Sequence, residues 1–178
     1  MRKRNINRRK FLELFGCGCC SLLLPSCSTA PITERRQLKL LPENYINRQA
    51  YGMYENVKKK ANLSNDKSII SKVESIGEKI QKAVNWYFAS VNKKDPTSKF
   101  QWEYIVIDNK KIKNAWCLPG GKIAVYTGLF EITKNDHGLA NVLGHEIAHA
   151  VAKHSIERAS RSLVLDLGVS VTDIISGG

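Results

Sequence analysis

The stretch GHEIAHAVAKH, Gly144–His154, governs the reading of everything around it. Two histidines stand four residues apart, with a glutamate directly after the first. On an α-helix that step amounts to about 400° of rotation and about 6 Å of rise. The imidazoles of His145 and His149 therefore leave one face and can grip a single divalent ion, for which zinc is the suited metal. Glu146 lies about 100° further round, beside the ion but not aimed at it. A carboxylate there can take a proton from ion-activated water and hand it to a leaving amine. His145 and His149 are thus candidate ligands for one zinc ion per chain, and Glu146 is the candidate general base. Two satisfied core histidines are the bland alternative, but the five-residue pattern arises by chance in only about one in a few hundred chains this long. Gly144, having no side chain, would let another element pack close to the metal helix.

The surroundings fit a metal helix. Asn135 or Asp136 can cap its start. Leu139, Val142, Leu143, Ile147, Ala150 and Val151 give it an apolar face, and the helical pattern continues through HSIERASRS. Upstream, FQWEYIVID at 100–108 and KIAVYTG at 122–128 read as strands. NAWCLPGG lies between them, and its Pro119–Gly120–Gly121 is a turn that lets backbone approach closely. Ile69, Val73, Ile76, Ile80, Val84 and Tyr87 recur every three or four residues from Asp66, the pattern of an amphipathic scaffold helix. NKKDPTSK breaks that helix at Pro96. An earlier helix is expected after Pro42. Helices, two strands and a long helix make an α+β domain.

The chain has 178 residues, 43% of them hydrophobic, which suits one globular domain. Its net charge of +12 is misleading, because residues 2–10 hold six Lys/Arg and no acid. Beyond residue 27 there are 22 basic and 15 acidic side chains, scattered without the stripe or stacking aromatics of a nucleic-acid binder. No nucleic-acid partner is expected.

Residues 1–27 read as a signal peptide. A basic start precedes an apolar run, Leu14–Leu24, that is too short to span a bilayer of about 30 Å as a helix. LPSC at Leu24–Cys27 resembles a lipoprotein box, making Cys27 the candidate lipidation site, and RRKFL at Arg8–Leu12 resembles a twin-arginine export signal. A mitochondrial presequence is the alternative. Of the five cysteines, Cys17, Cys19, Cys20 and Cys27 crowd the amino end, which leaves Cys117 alone in the domain with no internal disulfide. Residues 28–42 are expected to form a tether and 43–178 the domain.

TERRQLKLLPE, NAWCLPGGKIAVYTGLF and LANVLGHEIAHAVAKHSIER together resemble the zinc metallopeptidases of the HtpX, Oma and CAAX-prenyl-protease type, and especially exported bacterial members such as BepA and LoiP. The resemblance implies a zincin-like (gluzincin) fold with a long metal-binding helix and a small antiparallel sheet. It implies zinc on His145 and His149, Glu146 as general base, and endopeptidase action on unfolded or misassembled envelope proteins. It also places Gly120, Gly121, Lys122, Ile123, Ala124 and Val125 at the cleft, where substrate could pair as an added strand. The expected location is the cell envelope or periplasm, with a lipid anchor in a membrane, the outer one favoured because Ser28 is no retention acid.

A catalytic zinc takes three protein ligands. In the resembled family the third is a glutamate on a later helix. Only Glu157, Asp166 and Asp173 follow His149 as acids. On a continuing helix Glu157 would stand about 12 Å along from His149, and His154 about 140° off the metal face. Neither is then expected to be a ligand, and Ser155 stands where a different pattern would need histidine. The chain accordingly reads as the amino-terminal part of an incomplete domain. The competing readings are a catalytically inactive, lipid-anchored remnant acting by contact and a purely structural envelope lipoprotein, the latter leaving Glu146 without a task.

Overall fold

Four consecutive residues of one strand, Lys122–Val125, are buried, as happens where a strand is covered on both faces. The computed structural model describes residues 27–166. Its elements are β1 (Cys27–Thr29), β2 (Arg36–Leu38), α1 (Glu43–Lys60), α2 (Lys67–Ser90), β3 (Glu103–Ile107), β4 (Ala115–Leu118), β5 (Lys122–Tyr126), a 3-10 turn (Thr127–Leu129), α3 (Phe130–Thr133), α4 (Asp136–Val151) and α5 (His154–Asp166). Strand β5 is central, in the order β3-β5-β4. On one face Val106, Cys117, Ile123 and Val125 pack with Val73 of α2 and Leu139, Leu143 and Ile147 of α4. On the other, Tyr54 of α1 packs with Ile105, Ile107 and Ala124.

The α+β class agrees with expectation; the all-antiparallel sheet does not. Strands β3 and β5 run parallel, Glu103 opposite Lys122 through Ile107 opposite Tyr126. The reason is β4, a short strand inside the segment expected to be only a turn. It pairs antiparallel with β5 and returns the chain alongside β3 in the original direction. The reversal uses Pro119 and Gly120, with Gly121 N–H donating to Leu118 O at 3.2 Å. Proline second and a glycine at φ 88° third define a type II turn.

Helix α2 begins where Asp66 accepts from the Ser68 and Ile69 amides at 2.9 and 3.3 Å. Its stripe holds through Val84, but its last buried residue is Phe88, with Tyr87 left 40% exposed. Gly77 lies against β3 so closely that a Cβ would stand 2.3 Å from the Tyr104 ring.

Residues 28–42, expected as a tether, instead form a β-hairpin docked on the domain. Cys27 opposes Leu38, and Thr29 opposes Arg36. Leu38 is 2% exposed. Leu40 N–H donates to Ser160 Oγ of α5 at 3.0 Å, and Arg35 donates twice to Glu157, at 3.0 and 2.5 Å. Three-residue strands carry too little alternation to be read locally; these distant partners hold them.

Burial pushes the Glu157 carboxyl up, but the Arg35 hydrogen bond and the charges of Arg161 and Arg35 bring it below its ordinary value of 4.5. A carboxylate lowered by folding stabilises above that pH and loses its contribution as pH falls through the folded value. Glu157→Gln should cost about 1–3 kcal/mol at pH 7. Urea midpoints will show this difference at pH 7 and a much smaller one when both proteins are unfolded below pH 4.5.

Residues 1–26, with the apolar run and Cys17, Cys19 and Cys20, lie outside the described residues. Among the described residues no helix is long and apolar enough to cross a membrane.

Candidate metal centre

Helix α4 starts at Asn135, whose Oδ1 accepts from Gly138 N–H at 2.9 Å. Leu139, Leu143, Ile147 and Ala150 are buried and fix its rotation. The opposite side then carries the exposed His145 and half-buried His149. Their Nε2 atoms lie 3.0 Å apart and their rings meet edge to face at 4.5 Å between centroids. Two nitrogens bound to a tetrahedral zinc stand about 3.4 Å apart. The pair therefore fits two positions around such an ion after a shift of a few tenths of an ångström. The donors are also of the right kind, since neutral imidazole is a preferred zinc ligand.

Glu146 is half-buried on α4, the helix that packs against β4. Its charge is felt by Cys117 on that strand: burial first, then Glu146, push the thiol up to about 12.

The helix does not continue as expected. It ends at Val151, and Lys153 adopts φ 59° in the left-handed region. Ala152 O, freed by the break, accepts from Gln37 Nε2 of the hairpin at 2.7 Å, and the Lys153 ammonium pairs with Glu43 of α1. The turn restarts the chain as α5 and swings His154 back. Rather than lying about 140° off the metal face, its Nδ1 sits 2.6 Å from His149 Nδ1. That is the far side of the His149 ring from the Nε2 facing His145. Two ring nitrogens at this separation need one donor and one acceptor. Sequence reasoning left His154 without a role, because no glycine or proline marks the break.

Glu157 is no metal ligand here either, its carboxylate being held by Arg35 and Arg161. Asp173 lies outside the described residues. Among the described residues no group of three or more His, Cys, Asp or Glu could hold a metal ion. An added Cβ on Gly144 would meet nothing within 4 Å, so no described element packs on it as expected.

The expected substrate strand also needs correction. Lys122–Val125 are flanked by β3 and β4, so both edges of their backbone are used. Gly120 O and Gly121 O accept from Gln101 N–H at 2.9 Å and Glu103 N–H at 3.0 Å. The Lys122 ammonium is turned away onto Glu103 at 3.1 Å and the Tyr51 and Tyr54 rings. These six residues cannot accept an added strand. The edge left open beside α4, among the described residues, is β4, Ala115–Leu118. The alternation in NAWCL before a Pro-Gly turn was the signal for it.

The model of Peptidase family M48 matches residues 73–174. Mitochondrial metalloendopeptidase OMA1 of Saccharomyces cerevisiae is 30% identical over 173 residues, covering 89% of this chain and 47% of its own length. Metalloprotease YcaL of Escherichia coli is 36% identical over 63 residues, 35% of this chain and 23% of its own. Beta-barrel assembly-enhancing protease of Yersinia pestis is 36% identical over 53 residues, 30% of this chain and 11% of its own. The chain spans less than half the length of each of these relatives.

Proposed function

We propose that this chain, which belongs to peptidase family M48, carries the metal-binding and proton-transfer machinery of a zinc-dependent endopeptidase with a zincin-like fold. The observation that carries this reading is the convergence of His145 and His149 on one face of α4, a helix packed against the edge strand β4. When bound, zinc supplies a Lewis acid that polarises a carbonyl and makes water more acidic. His145 and His149 would hold it through Nε2. Glu146 accepts the proton of the attacking water and delivers it to the departing amine. The backbone of β4 takes an extended substrate by strand addition next to Glu146. A third donor comes from outside the described residues, as the resemblance to the family implies for a glutamate of a later helix.

His154 is a positioning residue in this scheme. By accepting from His149 Nδ1–H it leaves the Nε2 lone pair for the metal and holds the ring in place. His154→Ala is expected to weaken zinc binding about 10–100-fold, measured by competition with a chelator.

Strand addition selects extended chain, which folded proteins do not offer, so unfolded or misassembled proteins are the substrate class. The LPSC box at Cys27 supports an exported, lipid-anchored protein of the cell envelope, and the name of the Yersinia pestis relative, a beta-barrel assembly-enhancing protease, is in keeping with that location. A mitochondrial destination is the second reading, favoured by the mitochondrial yeast relative. Mass spectrometry of the mature amino terminus separates them, since only the first leaves diacylglyceryl-modified Cys27. The proteolytic reading is tested by zinc stoichiometry together with cleavage of an unfolded polypeptide. No zinc and no cleavage leaves the remnant acting by contact.

A further inference from the structure

Beside the imidazoles lies a shallow pocket of about 300 Å³ lined by Arg35, His154, Glu157, Arg158 and Arg161. It exists because the turn at Lys153 faces the start of α5 toward the hairpin residue Arg35. Three guanidiniums surround a single carboxylate. Glu157 Oε1 accepts from Arg35 Nη1 and Arg161 Nη2, and Oε2 from Arg35 Nη2, so the acid serves as a strut between two arginines. Positive charge is left over. Arg158 is exposed and forms no ion pair among the described residues. Arg161 Nε is buried and has no hydrogen-bond partner among the described residues. The wall between this pocket and the metal-binding pair is one histidine: His154 lines the pocket, and its Nδ1 bonds His149.

We propose that this pocket, on the His154 side of the imidazole pair, is a specificity subsite that receives a carboxylate of the substrate polypeptide, either an Asp or Glu side chain or a free carboxyl terminus. The proposal rests on the proteolytic reading. Arg158 reaches the carboxylate from the rim, while Glu157 keeps Arg161 and Arg35 in place. A guanidinium fork matches a planar carboxylate better than a lysine would. At about 300 Å³ the pocket is of side-chain size, at the low end for ligand sites.

The test is equilibrium binding, by fluorescence anisotropy, of labelled unstructured peptides to the whole chain. One peptide carries a central Glu and its twin a Gln, each with a free or an amidated carboxyl terminus. The Glu peptide or the free-carboxyl form should bind about tenfold tighter than its neutral twin, as suits a hydrogen bond to a charged group. Which of the two shows the preference identifies the source of the carboxylate. Arg158→Glu should erase the preference, and Arg158→Ala should reduce it. Lys67→Glu, the same charge change outside the pocket, should leave the ratio as in the wild type. Equal binding of all four peptides, or a preference that survives Arg158→Glu, overturns the subsite and leaves the proteolytic reading standing. Failure of every peptide to bind, with no cleavage, overturns both.

Discussion

Glu146→Gln should lower hydrolysis of an unfolded polypeptide by about 10²–10⁴-fold while leaving zinc content unchanged. Glutamine keeps the size and hydrogen-bonding reach of glutamate but cannot take up a proton at neutral pH. The side chain is half-buried on α4 and is no member of the imidazole pair, so its replacement leaves His145 Nε2 and His149 Nε2 facing each other. Measured together, kcat and zinc stoichiometry separate the two roles. A variant that keeps both zinc and near-normal kcat removes Glu146 from the chemistry. One that loses zinc as well shows that Glu146 acts on the metal pair and not on water. Cys117 gives an independent readout. The Glu146 charge adds to burial in raising its thiol, so the thiol should titrate lower in the variant than in the wild type.

The second large effect belongs to His149. His149→Ala should abolish stoichiometric zinc binding, a greater loss than the about 10–100-fold expected for His154→Ala. His149 stands between two partners, with Nε2 toward His145 at 3.0 Å and Nδ1 toward His154 at 2.6 Å. Removing it takes away a proposed ligand and also the ring that His154 Nδ1 contacts. Stability should change little, because His149 is half-exposed and the core of α4 is carried by Leu139, Leu143, Ile147 and Ala150. Chelator competition and a urea titration check both halves. The sequence of effects, His149 far above His154 in metal affinity, would be reversed if His154 were itself the ligand.

Much of the site was legible in advance because its geometry is local. The four-residue step between His145 and His149, the cap at Asn135 and the stripe from Leu139 to Val151 all depend on helix repeat within a few residues. The Pro119–Gly120 turn was legible for the same reason: backbone preference is set by the residues themselves. Strand β4 was missed because four residues of alternation beside a turn are a faint signal. Its edge position, and the central position of β5, depend on which strands meet across the sheet.

Helix periodicity alone determined that two histidines share one face of α4 with a carboxylate one position on, since that placement depends only on the local helix repeat. Tertiary structure alone decided what surrounds that pair. The left-handed residue Lys153 carries no local mark and is held by Gln37 on Ala152 O and by Glu43 on its ammonium, contacts 115 and 110 residues apart in the chain. Without them a continuing helix would have kept its 3.6-residue repeat and carried His154 off the metal face. With them the freed carbonyl is satisfied, the chain turns, and His154 and the arginines of α5 are brought to the site.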